Sequence, residues 1–463
     1  MGTMRRTSSQ LELLVALRRG GAPLHAQLEE QLRDAVRDGR LVAGAKLPSS
    51  RALAGELGVS RGVVVEAYGQ LAAEGYLALR QGAAPEVRPI ARAGAVAPAP
   101  AAPPPPRYDL RPGKPDLAGF PRAAWGGALR RALRDLPDAD LGYPDPAGHP
   151  LLRAALAGYL GRVRGVAATP DRIVVCGGVA EALRLIGAVL RDRGVTALAI
   201  EDPSHVETRR QLALAGLDSL PVPVDADGLD PAHIPAGVGA VLVTPAHHFP
   251  TGVVLAPGRR AALVAWAQAT GAVIVEDDYD AEQRYDRSPV GAVQGLAPEH
   301  VIPVHSVSKT LAPALRLGWA VAPRRFVADL TEAKFRSDLG TPVIEQVALA
   351  DLIERGDFDR HLRRMRLRYR RRRDALVAAL LEGRDDLVVE GVAAGLHVAV
   401  RLPPGRTEAS VVAAAAARGV ELATIGEHAI APQPPALVLG YARLPEDGLR
   451  AAARALLAAI EEA

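Results

Sequence analysis

The sequence predicts a multidomain protein. A small helical module with a strand-and-turn appendage comes first, then an α/β domain on a mostly parallel sheet, then a small α+β C-terminal domain. Three observations carry this. From residue 108 to about 355, short apolar runs alternate with helix-length stretches, a pattern that buries parallel strands beneath helices. From 89 to 107 the composition collapses to alanine and proline, ending in Pro103-Pro104-Pro105-Pro106, which reads as a semi-rigid extended spacer. Ahead of it, apolar residues recur at helical spacing between serine and glycine punctuation. A chain of 463 residues that is 49% hydrophobic can bury a large core and is too long for one simple domain.

Residues 1–22 form an N-terminal extension. Met1-Gly2-Thr3-Met4-Arg5-Arg6 is basic but leads into no apolar h-region, and no apolar run reaches membrane-spanning length without charge or proline. No membrane partner is expected. The single cysteine, Cys176, excludes an intramolecular disulfide and suits a reducing compartment, so a cytoplasmic location is expected. The net charge of +4 permits a polyanionic partner without demanding one. No metal site is assigned.

Residues 23–88 read as one module. Leu24, Leu28, Leu32, Ala35 and Val36 lie on one helical face. Two short helices follow, with Ser50 and Ser60 as their N-caps and Gly58 as the left-handed turn between them. The second buries Val64, Ala67 and Leu71, the pattern of a helix-turn-helix. Glu74 to Gly82 adds a strand and turn that can form a wing.

In the large domain, Ile173–Cys176, Ala197–Ile200, Ala240–Val243 and Ala272–Val275 are strand-like. After the first, Gly177-Gly178-Val179 opens a helix whose backbone amides can hold a phosphate; a plain loop is the alternative. The last runs into Glu276-Asp277-Asp278-Tyr279, carboxylates at a strand end where α/β sheets bind ligands. Downstream, Ser306-Val307-Ser308-Lys309 leads to Arg316. Schiff-base chemistry needs an amine able to lose its proton, which arginine is not, and the only lysines are Lys46, Lys114, Lys309 and Lys334. The small domain, about 356–463, begins with an arginine-rich helix, Arg363 to Arg373, that reads as a solvated face or a supplementary DNA contact.

Two resemblances follow. Pro23 to about Val87 resembles the winged helix-turn-helix of the GntR regulators, most specifically in Leu47-Pro48-Ser49-Ser50-Arg51 and Glu74-Gly75-Tyr76-Leu77. It implies binding of double-stranded operator DNA through Arg51 and Arg61, with Lys46 and Arg80 near phosphates and Ser49, Ser50 and Ser60 at the helix starts. Asp277, Tyr279, Lys309 and Arg316 resemble, in type and order, the fold-type I pyridoxal phosphate (PLP) transferases, specifically the aminotransferases. That implies PLP as cofactor, with Lys309 as its Schiff-base lysine, Asp277 on the pyridine nitrogen and Tyr279 on the ring hydroxyl. Arg316 with Ser306 would grip the phosphate, and Ser308, Gly178 and Val179 would complete the site. The whole chain, with 108–463 as the aminotransferase-like part, resembles the MocR regulators. Gly142 to Gly148 matches the segment whose tyrosine, Tyr143, reaches a neighbouring subunit's cofactor, which implies a homodimer.

The departures matter. Gly62 and Val63 replace polar residues of the recognition helix, and Gly82 to Glu86 replaces the usual wing tip. Phe249 stands where aminotransferases place an asparagine on the ring hydroxyl, leaving His247 as candidate substitute or as a structural histidine. His205 replaces a tyrosine, and Gly177 and Val179 replace phosphate-loop hydroxyls. Val438 stands where an arginine clamps the substrate carboxylate, a loss on the order of 1.5–3 kcal/mol. The expectation is a transcriptional regulator that senses PLP, or a small amine or amino-acid effector. The alternatives are a working aminotransferase with an accessory DNA-binding domain, and a dimerisation domain without PLP.

Overall fold

The computed structural model describes residues 15–89, 105–285, 290–382 and 384–463. The basic N-terminus and most of the Ala/Pro spacer lie outside them. The chain divides into two compact units, Met1–Pro103 and Pro104–Ala463.

In the first unit, helices α1 (Leu24–Arg37), α2 (Ser50–Leu57) and α3 (Arg61–Ala73) share a core. Leu28, Leu32 and Val36 pack there with Leu53, Val64 and Leu71. Gly58, at φ 62°, makes the left-handed turn, and Ser60 Oγ accepts from Val63 N–H at 3.4 Å. The other cap differs from expectation. Ser49, in extended conformation, caps α2 by accepting from Ala52 N–H at 3.2 Å, and Ser50 is already helical. A cap needs non-helical backbone with its oxygen two or three residues before a free amide, and of two adjacent serines only the first qualifies. Strands β1 (Leu77–Ala78) and β2 (Glu86–Val87) pair antiparallel as a small wing.

The second unit begins with β3 (Tyr108–Asp109), α4 (Arg122–Asp135) and α5 (Pro150–Arg164). There follow β4 (Ile173–Cys176), α6 (Val179–Asp192), β5 (Ala197–Asp202), α7 (Val206–Leu214), β6 (Asp218–Asp225), β7 (Gly228–Leu229) and β8 (Ala240–Val243). Then come α8 (Pro257–Thr270), β9 (Val273–Asp277), β10 (Val301–Ser306), β11 (Gly318–Val321), α9 (Arg324–Asp338) and α10 (Val343–Glu354). The sheet order is β4-β11-β10-β9-β8-β5-β6-β7; β10, β9, β8, β5 and β6 run parallel, and β11 is antiparallel to both its neighbours. Successive side chains serve opposite faces. Val174 and Cys176 join the cluster under α6 and α9, while Ile173 and Val175 join that under α4, α5 and α10.

The small subdomain holds α11 (Asp357–Leu381), β12 (Val388–Glu390), β13 (His397–Arg401), α12 (Glu408–Ala417), β14 (Val420–Glu421), β15 (Ala423–Thr424), β16 (Ala436–Gly440) and α13 (Glu446–Glu462). A four-stranded sheet, β12-β13-β16-β15, packs on α11 and α13, and β14 pairs with β3. The arginine run on α11 is not a purely solvated face. Arg368 and Arg372 both reach the buried Asp116, at 2.8 and 3.1 Å, tying α11 to the segment ahead of α4.

Candidate functional site

Strand register gathers the chemistry at one edge of the large sheet. Asp277 ends β9 and Ser306 ends β10. Gly318, opening β11, lies between Ser306 and Cys176, the last residue of β4. The chain leaving Cys176 therefore enters α6 beside these strand ends, where open α/β sheets bind ligands. Gly318 has to be glycine, since a Cβ there would stand 2.7 Å from Gly178 Cα.

A cavity of about 500 Å³ opens at this edge, lined by Lys309, Asp277, Tyr279, Ser306, Ser308, Arg316 and Val179. Arg316 holds a left-handed conformation, φ 49°, which a residue with a Cβ adopts only when its surroundings fix it. Its guanidinium lies over Gly178, where a Cβ would come within 3.2 Å of Nη1. The free amides of the first turn of α6 and this guanidinium together make an anion cradle. Below it, Glu181 accepts from Gly177 N–H and from Lys334 Nζ, the latter at 2.8 Å; Lys334 also lies 2.6 Å from Asp338.

Burial pushes the Asp277 carboxyl up to about 7, with Asp278 adding to the rise and Lys309 opposing it. Asp277 Oδ1 is buried with no hydrogen-bond partner, a costly state that a protonated ring nitrogen relieves. Burial also lowers the Lys309 ammonium, against the pull of Asp280 and Asp277, which favours the neutral amine that carbonyl chemistry needs. Lys309 Nζ donates to Gly113 O. An unpaired carboxylate, a depressed amine and an anion cradle around one cavity fit PLP.

Two expected site residues, His247 and Gly178, are placed differently, and a third, Tyr143, was expected at a neighbouring subunit's cavity. His247 does not line the cavity. It is buried behind Tyr279, its Nδ1 3.2 Å from the Tyr279 hydroxyl and 3.1 Å from Asp280 Oδ2, because the Asp280 carboxylate draws the imidazole away from the pocket. Its contact with a bound ring would run through Tyr279. Gly178 lies under Arg316 and does not form the wall itself. Tyr143 is 89% exposed and is not among the residues lining the cavity of its own chain.

Several other lining residues carry no signal in the sequence. Glu201, pushed up to about 7 by burial, accepts from Thr244 N–H and Oγ1 at 2.8 and 2.7 Å. Arg111, Lys114, Glu427 and His428 come from segments remote from the lysine motif. Val438 is fully buried, paired with Ala399 and Ala423 in an apolar cluster that includes Phe249. Arg443 and Arg401 are engaged elsewhere, with Asp109 and Glu390.

In the first unit Lys46, Ser49, Arg51, Ser60, Arg61 and Arg80 are all exposed. Ser50 is half-buried and accepts from Arg61 Nε at 3.4 Å, so the starts of α2 and α3 meet. Beside Arg61 the outer face of α3 offers Gly62 and a half-exposed Val65, which bring no side-chain hydrogen-bonding group, and the exposed Glu66.

Fold and pocket define an aminotransferase-like PLP domain preceded by a winged helix-turn-helix. The family model "Aminotransferase class I and II" matches residues 121–456, and "Bacterial regulatory proteins, gntR family" matches 24–87. The HTH-type pyridoxine biosynthesis transcriptional regulator PdxR of Corynebacterium glutamicum is 35% identical, over 87% of this chain and 88% of its own. The probable rhizopine catabolism regulatory protein MocR of Rhizobium meliloti is 33% identical over 95% and 94%. Among solved structures, the α-aminoadipate aminotransferase LysN of Thermus thermophilus, complexed with N-(5'-phosphopyridoxyl)-L-leucine, superposes with a TM-score of 0.68 at 26% identity, covering 76% of this chain and 92% of that one. The chain belongs to the MocR-type GntR transcriptional regulators. It is a DNA-binding regulator whose aminotransferase-like domain takes PLP as cofactor. Among the described residues no helix is long and apolar enough to cross a membrane.

Proposed function

We propose that the aminotransferase-like domain works as a homodimeric sensor in which PLP, held through Lys309, is itself the signal. When bound, PLP supplies a carbonyl for an amine and a protonated ring. Lys309 provides that amine, Asp277 holds the ring proton, and Arg316 with Ser306, Ser308 and the start of α6 retains the phosphate. The carrying observation is Val438: the position where aminotransferases carry the carboxylate-clamping arginine holds an apolar residue fully buried in the cluster with Phe249 and Ala423, which disfavours ordinary transamination. The Corynebacterium relative, named for pyridoxine biosynthesis, supports the cofactor as signal. The exposed Tyr143 supports a partner subunit covering that loop, and the exposed Arg51, Arg61, Lys46 and Arg80 support operator contact through the first unit.

Coupling between two sites is reciprocal. PLP titration is expected to change affinity for a duplex selected by the ligand-free chain, and that duplex to change PLP affinity by the same factor, both read by fluorescence anisotropy. Unchanged DNA affinity at saturating PLP overturns the sensor. Sustained turnover with an amino acid and a keto-acid acceptor would favour the aminotransferase reading instead.

A further inference from the structure

Once Lys309, Asp277, Tyr279, Ser306 and Arg316 are given to the cofactor, the far wall of the cavity is left over. It is made by His205, Phe249, Glu427 and His428. The Phe249 ring meets His428 edge-on at 4.8 Å, and His205 stacks on His428 at 5.8 Å. His428 is 7% exposed, and neither of its ring nitrogens has a hydrogen-bond partner. A buried polar group left unpaired is destabilising, so an imidazole held in this state at a cavity wall marks a place for a ligand's polar group. Burial lowers His428 to about 4, with His205 and Arg209 adding. The ring is therefore neutral at pH 7, with one N–H and one lone pair to offer.

The cations on this side already have partners within the chain. Arg111 is paired with Asp109 and Glu421, both at 2.8 Å, and Lys114 with Asp109 at 3.1 Å. Arg209 points at the backbone oxygens of Ser204 and His428. The apolar part of the wall is Ala423 and Phe249, with Val438 packed behind them, and Glu427 adds a carboxylate at the mouth. We propose that the far wall takes the distal hydroxyl or ammonium of a carboxylate-free primary amine, an amino alcohol or diamine. Its primary amine faces Lys309, while His428 bonds the distal group and Glu427 favours a cationic one. This rests on PLP filling the other half of the cavity.

The test uses the full PLP-loaded chain, followed by calorimetry and by the visible cofactor band, with 3-aminopropan-1-ol, 1,3-diaminopropane, L-alanine and 4-aminobutanoate as probes. At least tenfold tighter binding of the first two is expected. His428→Phe, which keeps the ring packing and removes the nitrogens, should cut their affinity about tenfold. Glu427→Gln, at the exposed mouth, should weaken the diamine more than the amino alcohol, and it serves should His428→Phe fail to fold. Equal or tighter binding of L-alanine or 4-aminobutanoate, or no amine binding by a chain that keeps its cofactor band, overturns the inference and leaves the cofactor reading standing. A chain that shows no cofactor band on adding PLP overturns both.

Discussion

Asp277 shows how far a single residue can be read. Its type and place, a carboxylate at a strand end upstream of Lys309 and Arg316, were legible because strand periodicity and motif order are local properties of sequence. Its energetics come from burial. With its carboxyl raised to about 7 by burial first and Asp278 second, the ligand-free fold favours the protonated form, so stability is lost as pH rises from about 4, the ordinary value for Asp, through about 7. The melting temperature of Asp277→Asn minus that of the unmutated chain is expected to climb across that window and then level off, both ligand-free. A difference that shrinks with rising pH would refute the assignment. His428 was illegible for the opposite reason. It lies in a short turn more than a hundred residues beyond Lys309, and only the packing of the subdomain against Ser204 and Arg209 brings it to the cavity.

At the scale of elements, the helix boundaries and the alternating α/β layers were visible because 3.6-residue and two-residue periodicities are unambiguous in long runs. The caps were visible to within one residue. Replacing Ser49, not Ser50, by Ala is expected to cost about 1 kcal/mol, measured by urea unfolding of the chain and its two single variants; an equal loss from Ser50→Ala would contradict the cap geometry. The arginine run was legible as a helix but not as an anchor, because Asp116 is some 250 residues away in sequence. Asp116→Ala leaves Arg368 and Arg372 without their carboxylate. Since Arg368 is a third exposed, the expected loss is at the lower end for a broken buried pair, about 3 kcal/mol, read as a lower urea midpoint. A loss under about 0.5 kcal/mol would place the pair among screened surface contacts.

For the whole molecule, the two-part design followed from composition and motif order, yet its regulatory logic did not, because coupling is a difference between states. What the chain's parts do constrain is the currency of that coupling. With Gly62 and Val65 on the outer face of α3, two positions bring no side-chain hydrogen bond to a base edge, and phosphate contacts from Arg51, Arg61, Lys46 and Arg80 are expected to dominate affinity. A ligand that alters the presentation of a first unit would then change binding to many sequences together, more than it would change preference among them. Comparing PLP-induced affinity changes on selected and scrambled duplexes separates these outcomes.

Lys334 is sealed beneath α6, clasped by Glu181 and Asp338. Its confinement takes one of the four lysines out of competition, leaving the exposed Lys46 and the ion-paired Lys114 as rivals of Lys309 for a carbonyl reagent. Borohydride treatment after loading with one equivalent of PLP should mark chiefly the tryptic fragment spanning position 309, and Lys309→Ala should strip that label while any on positions 46 and 114 stays, read by mass spectrometry. Label on position 334 would mean that the brace under the helix opens in solution.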